Sequence, residues 1–92
     1  VMFRTWGDSM SPLISDQDVI LVDQSQSHPQ EGRIYVVGID DDIIVKRIIR
    51  QPGKIVLRSE HPEWEDIEID KQDQSVDFRV YGKALWVGKE LT

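Results

Sequence analysis

Ile43-Ile44-Val45-Lys46-Arg47-Ile48-Ile49-Arg50-Gln51-Pro52-Gly53-Lys54-Ile55-Val56-Leu57-Arg58-Ser59 is the stretch that decides the fold class. Two runs dense in β-branched residues flank Gln51-Pro52-Gly53-Lys54, where proline at the second position presets φ and glycine at the third supplies φ > 0. The reading is two strands, Ile43–Arg50 and Lys54–Ser59, joined by a type II turn. Toward the N-terminus, Asp40-Asp41-Asp42 marks a tight hairpin to a third strand, Arg33–Ile39, and Val19–Val22 makes a fourth. Toward the C-terminus follow Asp66–Ile69 and the long Val76–Val87, interrupted at Gly82, where a bulge or a close backbone approach is expected. Gln24–Glu31 and Glu60–Glu65 read as polar loops. Helix-period patterns are missing except at Ser11-Pro12-Leu13-Ile14, where serine suits an N-cap and proline the first helical position. The expectation is an all-β domain: a strongly bent, partly barrel-like, mostly antiparallel sheet with one short helical turn just after Ser9.

Length and charge narrow the function classes. Ninety-two residues predict a single domain over 1–92. A domain this small buries a modest share of its surface, so a second subunit would add stability. Val76–Val87, apolar on alternating positions and close to the chain end, is an association hazard unless paired or covered. It predicts a two-fold homodimer with this strand and Trp86 in the interface. The 11 basic and 17 acidic side chains give a net charge of −6 without a Lys/Arg cluster, so this chain alone is not expected to hold DNA. No apolar run reaches the ~20 residues of a membrane span, no signal peptide precedes the domain, and no membrane partner is expected. The absence of cysteine removes disulfides and thiolate metal sites and fits a cytoplasmic location. The start at Val1 rather than methionine predicts the C-terminal part of a longer protein.

Gly7-Asp8-Ser9-Met10-Ser11-Pro12 is the most informative stretch for chemistry. A serine hydroxyl attacks only when a base takes its proton and when N–H donors await the developing oxyanion. Glycine before Ser9 permits a tight turn, and a helical turn after it would aim N–H groups at the site. The same hexapeptide also suits an ordinary loop. In Ile43–Ile49, Lys46 shares a strand face with Ile44 and Ile48, and Arg47 shares the other with Val45 and Ile49. A lysine among isoleucines either snorkels to water from an edge or is a buried amine with a lowered pKa, able to act as a base.

Taken together the two segments resemble the S24-type serine peptidase family that includes the SOS repressor LexA, the lambda-type phage repressors and the UmuD mutagenesis protein. In that family the nucleophile lies in a Gly-x-Ser-Met-x-Pro-like motif, matched by Gly7-Asp8-Ser9-Met10-Ser11-Pro12, and the base in a Val-Lys-Arg-hydrophobic motif, matched by Val45-Lys46-Arg47-Ile48. Their separation of 37 positions (46 − 9) fits as well. The likeness runs on through Asp18–Asp23, Gly32–Val36 and Val80–Gly88, nearly the whole chain in order. It implies Ser9 as nucleophile, Lys46 as general base and an oxyanion hole of the Asp8 and Ser9 backbone N–H groups, with no cofactor.

The function implied is that of the C-terminal domain of a phage-repressor-like or LexA-like transcriptional regulator, which dimerises the repressor and cuts the chain by its Ser–Lys dyad. DNA would be bound only through an N-terminal head outside this chain, and a RecA filament is the partner that provokes cleavage in relatives. Val1–Trp6 holds no small-residue scissile pair of the Ala-Gly type, so a cut would fall before Val1. Ser59-Glu60-His61-Pro62 departs from the Asp-Asn-Pro sequence common in relatives, and that loop is expected to be peripheral to the dyad. Two alternatives stand beside this reading: a signal-peptidase relative, and a dimerisation or effector-binding module keeping a relic dyad.

Other residues offer less. His28 and His61 suggest a Ser–His–Asp triad, but both sit beside proline in polar loops and nothing directs either toward Ser9. Two isolated histidines lack ligand spacing, and Asp40-Asp41-Asp42 lacks the alternating acids and glycine of a calcium loop, so no metal site is expected. Trp6, Trp64 and Trp86 read as core or interface anchors.

Overall fold

The computed structural model describes residues 1–26 and 28–91. Seven strands form one sheet in the order β1-β2-β7-β3-β4-β5-β6, every pair antiparallel. They are β1 (Met2–Arg4), β2 (Val19–Asp23), β3 (Ile34–Ile39), β4 (Asp42–Gln51), β5 (Lys54–Arg58), β6 (Ile67–Asp70) and β7 (Phe78–Gly88). All-β architecture is therefore as expected. The β4–β5 turn has Gly53 at φ 76°, which the type II geometry requires of its third residue. The β3–β4 hairpin closes over two residues, with Asp40 at φ 51°, a conformation that aspartate tolerates better than most side chains. Asp40 also fixes the start of β7: its N–H donates to Asp77 O at 2.8 Å, and its carboxylate accepts from Asp77 N at 3.1 Å.

Strand alternation sorts the core into two clusters on opposite faces of the sheet. Met10, Ile14, Ile20, Val22, Val36 and Val45 form one, while Tyr35, Val37, Ile48, Leu57 and Ile69 form the other. The fully buried Tyr35 satisfies its hydroxyl by accepting Gln30 N–H at 2.8 Å, which also pins the β2–β3 loop.

The register irregularities of the sheet fall along β7. Its first half pairs with β3 and its second with β2, and the register slips once against each. Opposite Val36 and Val37 the extra residue is Tyr81, next to Gly82, where the sequence predicts irregularity.

Two expectations need correction. Val76–Val87 is not a bare edge: β7 lies between β2 and β3 in the strand order, Phe78–Lys83 pairing with β3 and Lys83–Gly88 with β2, so each half keeps one side without a partner strand among the described residues. β1 lies outside the expected strands; its three residues, Met2–Arg4, carry too little alternation to be read, and pairing with Val19–Leu21 creates it. The short helical turn expected after Ser9 is present and stops at one turn. Ile14 N donates to Met10 O at 2.9 Å in helical fashion, but the next N–H, of Ser15, goes to the Asp18 carboxylate at 2.8 Å. That capture ends the i→i−4 ladder after one bond. Among the described residues no helix is long and apolar enough to cross a membrane.

Candidate active site

Ser9 sits on a compact loop, Thr5–Asp18, whose two ends are clipped together. Thr5 N and Thr5 Oγ1 both donate to Asp18 O, at 2.8 and 2.9 Å, and Gln17 N donates to Thr5 O at 2.8 Å. Within the loop Gly7 N donates to Asp16 Oδ1 at 2.8 Å, and Gly7 adopts φ 89°, where a side chain would be strained. Met10 and Ile14, both buried, nail the loop to the first core cluster. The Asp18 carboxylate lies below the usual carboxylate range, held chiefly by the Ser15 N–H it accepts and further by the Lys89 ammonium at 3.1 Å. Among the described residues the N–H groups of Gly7, Ser11 and Ile14 are engaged, while no hydrogen bond takes those of Asp8 or Ser9.

Ser9, half-buried, lines a small cleft with Gly7, Met10, Ile43, Ile44 and Val45, the last three leading directly to Lys46. Lys46 is only 5% exposed, which decides between its two readings: it is the buried amine, not the snorkelling edge lysine. It faces Tyr35 across β3 and shares the face of Ile48, as strand alternation requires. Burial pushes its pKa below the ordinary lysine value. Its Nζ is 2.7 Å from Ser59 Oγ and 5.3 Å from the centroid of the Trp64 ring. Among the described residues no hydrogen bond joins Lys46 to Ser9.

What links the two segments is the loop after β5. His61 N donates to Ser9 O at 2.9 Å, Trp64 Nε1 donates to Asp8 Oδ1 at 3.2 Å, and Ser59 reaches Lys46. Arg47, on the opposite face of β4, holds the same loop through Glu60, with Nε at 2.6 Å from Oε1. The expectation that Ser59-Glu60-His61-Pro62 is peripheral is therefore corrected: this loop touches both halves of the site. Ser59 and Trp64 are the residues that sequence reading missed. For Ser59 the only signal was a small hydroxyl residue placed immediately after β5, where antiparallel pairing with β4 continues toward Lys46. His61 meets Ser9 through its backbone, and its Nδ1 accepts Glu63 N–H at 3.2 Å, so its imidazole is not turned to serving Ser9. His28 is exposed in the β2–β3 loop.

Lys46→Met tests the buried amine directly. The unfolded chain keeps a lysine pKa near ~10.4, so between the lowered folded value and ~10.4 the unfolded state binds more protons. Native stability therefore rises with pH through that window, and the burial penalty is complete below it. Methionine has a similar shape and no charge. It should raise stability at pH 7 by about 1 kcal/mol, after allowing for the hydrogen bond Ser59 loses, and the gain should fade by pH 10. Denaturant melts at the two pH values check this; a difference independent of pH contradicts it.

Residues 1–85 match the family model for Peptidase S24-like proteins. The chain is 33% identical over 92 residues to the LexA repressor of Aliivibrio fischeri (strain MJ11), covering 99% of this chain and 43% of that protein. It is 34% identical over 92 residues to the LexA repressor of Vibrio cholerae serotype O1 (strain M66-2), again 99% of this chain and 43% of the relative. Repressor protein CI of Enterobacteria phage phi80 is 33% identical over 85 residues, 91% of this chain and 34% of that protein. The chain thus spans less than half the length of these curated relatives.

Proposed function

Because this chain belongs to the Peptidase S24-like family, we propose that it is the self-cleaving and dimerising C-terminal domain of a repressor-type transcriptional regulator. The observation that carries the reading is a lysine, Lys46, buried and held below its ordinary pKa, sharing one loop with Ser9. In its neutral form Lys46 accepts the Ser9 hydroxyl proton as Oγ attacks a peptide carbonyl. The oxyanion is received by the Asp8 and Ser9 N–H groups, which have no other hydrogen-bond partner among the described residues. The proton then passes from Lys46 to the leaving amine, and water, deprotonated by Lys46, releases the acyl group from Ser9. The substrate is a segment of the same polypeptide before Val1. Family resemblance makes a RecA filament the trigger and assigns DNA binding to a separate N-terminal head. The test is the full-length gene product at alkaline pH, where more Lys46 is neutral: a fragment beginning upstream of Val1 should accumulate. A protein that stays intact there, with Ser9 and Lys46 in place, contradicts the reading.

Dimerisation has its own support. Leu13, Leu85 and Trp86 are exposed beside one another on an apolar depression that also includes Ile34 and Val87. Trp86, at 57% exposed, is a large apolar side chain left in water by the monomer. β7 from Ala84 to Gly88 pairs with β2 alone. Trp86→Glu should weaken self-association about 30-fold or more while leaving the monomer folded. Sedimentation at tens of micromolar reads this, and a variant that dimerises like the parent rules Trp86 out of the interface.

A further inference from the structure

We propose that Ser59 is the positioning residue of Lys46, its hydroxyl taking one Nζ–H so that the amine's lone pair is kept off Ser59 and left free for the Ser9 proton. This assignment rests on the dyad reading above and concerns a residue outside both motifs. A neutral amine has two N–H groups and one lone pair, and an acceptor that takes one N–H restricts the lone pair to the two remaining positions, both turned off that acceptor. Ser59 Oγ is such an acceptor at 2.7 Å, and Ser59 is itself only 8% exposed, so water does not compete freely for the bond. A hydroxyl is suited to the task because it is uncharged. A carboxylate in its place would hold the ammonium form and leave no lone pair to accept a proton.

The protein also fixes Ser59. β5 pairs Arg58 with Arg47, so the next residue, Ser59, comes level with Lys46. Glu60 follows and is taken by Arg47, with Nε to Oε1 at 2.6 Å. Adjacent residues of β4 therefore hold adjacent residues of the loop: Arg47 anchors Glu60, and Ser59 is delivered to Lys46. Further along, Trp64 covers Nζ with its ring and donates Nε1–H to Asp8. Around Lys46 stand its cross-strand partner Tyr35 on β3, Ser59 and Trp64 from this loop, and Asp8 beyond Trp64. Arg47 and Glu60 pair on the other face.

The experiment uses the 92-residue chain and a fluorophosphonate probe, so it does not depend on where natural cleavage falls. Ser9 Oγ attacks phosphorus, the P–F bond breaks, fluoride leaves, and the Ser9 proton passes to Lys46 Nζ. The labelling rate is followed from pH 6 to 11, and the site is mapped by mass spectrometry. Ser59→Ala should label about 10- to 100-fold more slowly at the alkaline plateau, the loss expected of a misdirected base. Ser59→Thr, which keeps the hydroxyl, should restore the rate to within a few-fold. Ser59→Asp should move the midpoint of the profile to higher pH, because a carboxylate beside Nζ favours the ammonium form. Parent-like plateau and midpoint in Ser59→Ala overturn the assignment while leaving the dyad intact. So does a slow Ser59→Ala that Ser59→Thr fails to restore. If Ser59→Asp does not fold, the alanine and threonine pair decides. A parent chain that takes no probe on Ser9 at any pH, or takes it equally with Lys46→Met, overturns the dyad reading and this assignment with it.

Discussion

Ser9→Ala in the full-length protein should lower the rate of self-cleavage by about 10⁴-fold or more, to the uncatalysed background. Without Oγ there is no atom to form the acyl intermediate, and the geometry of the clipped Thr5–Asp18 loop has nothing to present. Lys46→Ala should cost a comparable amount, since the hydroxyl then lacks a base and the cavity left by a buried lysine adds disorder. In the proposed dyad, nucleophile and base act on the same proton, so the double variant should be little slower than either single one. The rate in the parent should climb with pH as Lys46 loses its proton. Because burial lowers its pKa, that rise should begin well before an ordinary lysine titrates. Band intensities over time at several pH values give each rate. Cleavage in Ser9→Ala at the parent's rate removes Ser9 as nucleophile.

Gly82→Ala should destabilise the domain by about 3 kcal/mol, enough to lower the melting temperature by roughly 10–20 °C in a chain of this size. A methyl group on Gly82 would stand 2.7 Å from Asp23 O and 2.7 Å from Val22 Cγ1. The first is a backbone carbonyl of β2, which cannot withdraw without disturbing the Val22–Ala84 and Asp23–Lys83 pairs of the β2–β7 ladder. Gly32→Ala is the comparison: nothing lies within 4 Å of the added carbon, and only the positive φ of 75° penalises it. It should cost about 1–2 kcal/mol. Thermal and urea melts of the two variants separate crowding from backbone strain. Equal losses show that β2 yields to the methyl group.

Much of this architecture is legible in local chemistry. The Pro52-Gly53 turn and the Asp40-Asp41 hairpin tip follow from what those residues do to φ, the irregularity at Gly82 from the close approach that a missing side chain allows, and all three are present. The face of Lys46 follows from the two-residue repeat of a strand, and it lies with Ile48 as that repeat demands. β1 escapes such reading because Met2–Arg4 is shaped by its partner rather than by its own sequence. The turn after Ser9 is legible, but what stops it at one turn is Asp18, a residue outside that segment, which takes the N–H a longer helix would have used.

The sequence by itself determined that the domain is all-β, where its tight turns fall, and which serine and which lysine are the candidates for chemistry. Those features depend on backbone preferences and on alternation, both of which act over a few neighbouring residues. Only the tertiary structure decided whether Lys46 is wet or buried, that β7 lies inside the sheet, and that the Ser59–Trp64 loop joins Lys46 to Ser9. Burial and strand order are properties of packing between distant segments. An amphipathic lysine strand carries the same local pattern at an edge and in a core. The contacts at the site join residues 13 positions apart at Lys46–Ser59 and 56 apart at Asp8–Trp64, distances at which no local rule specifies a partner.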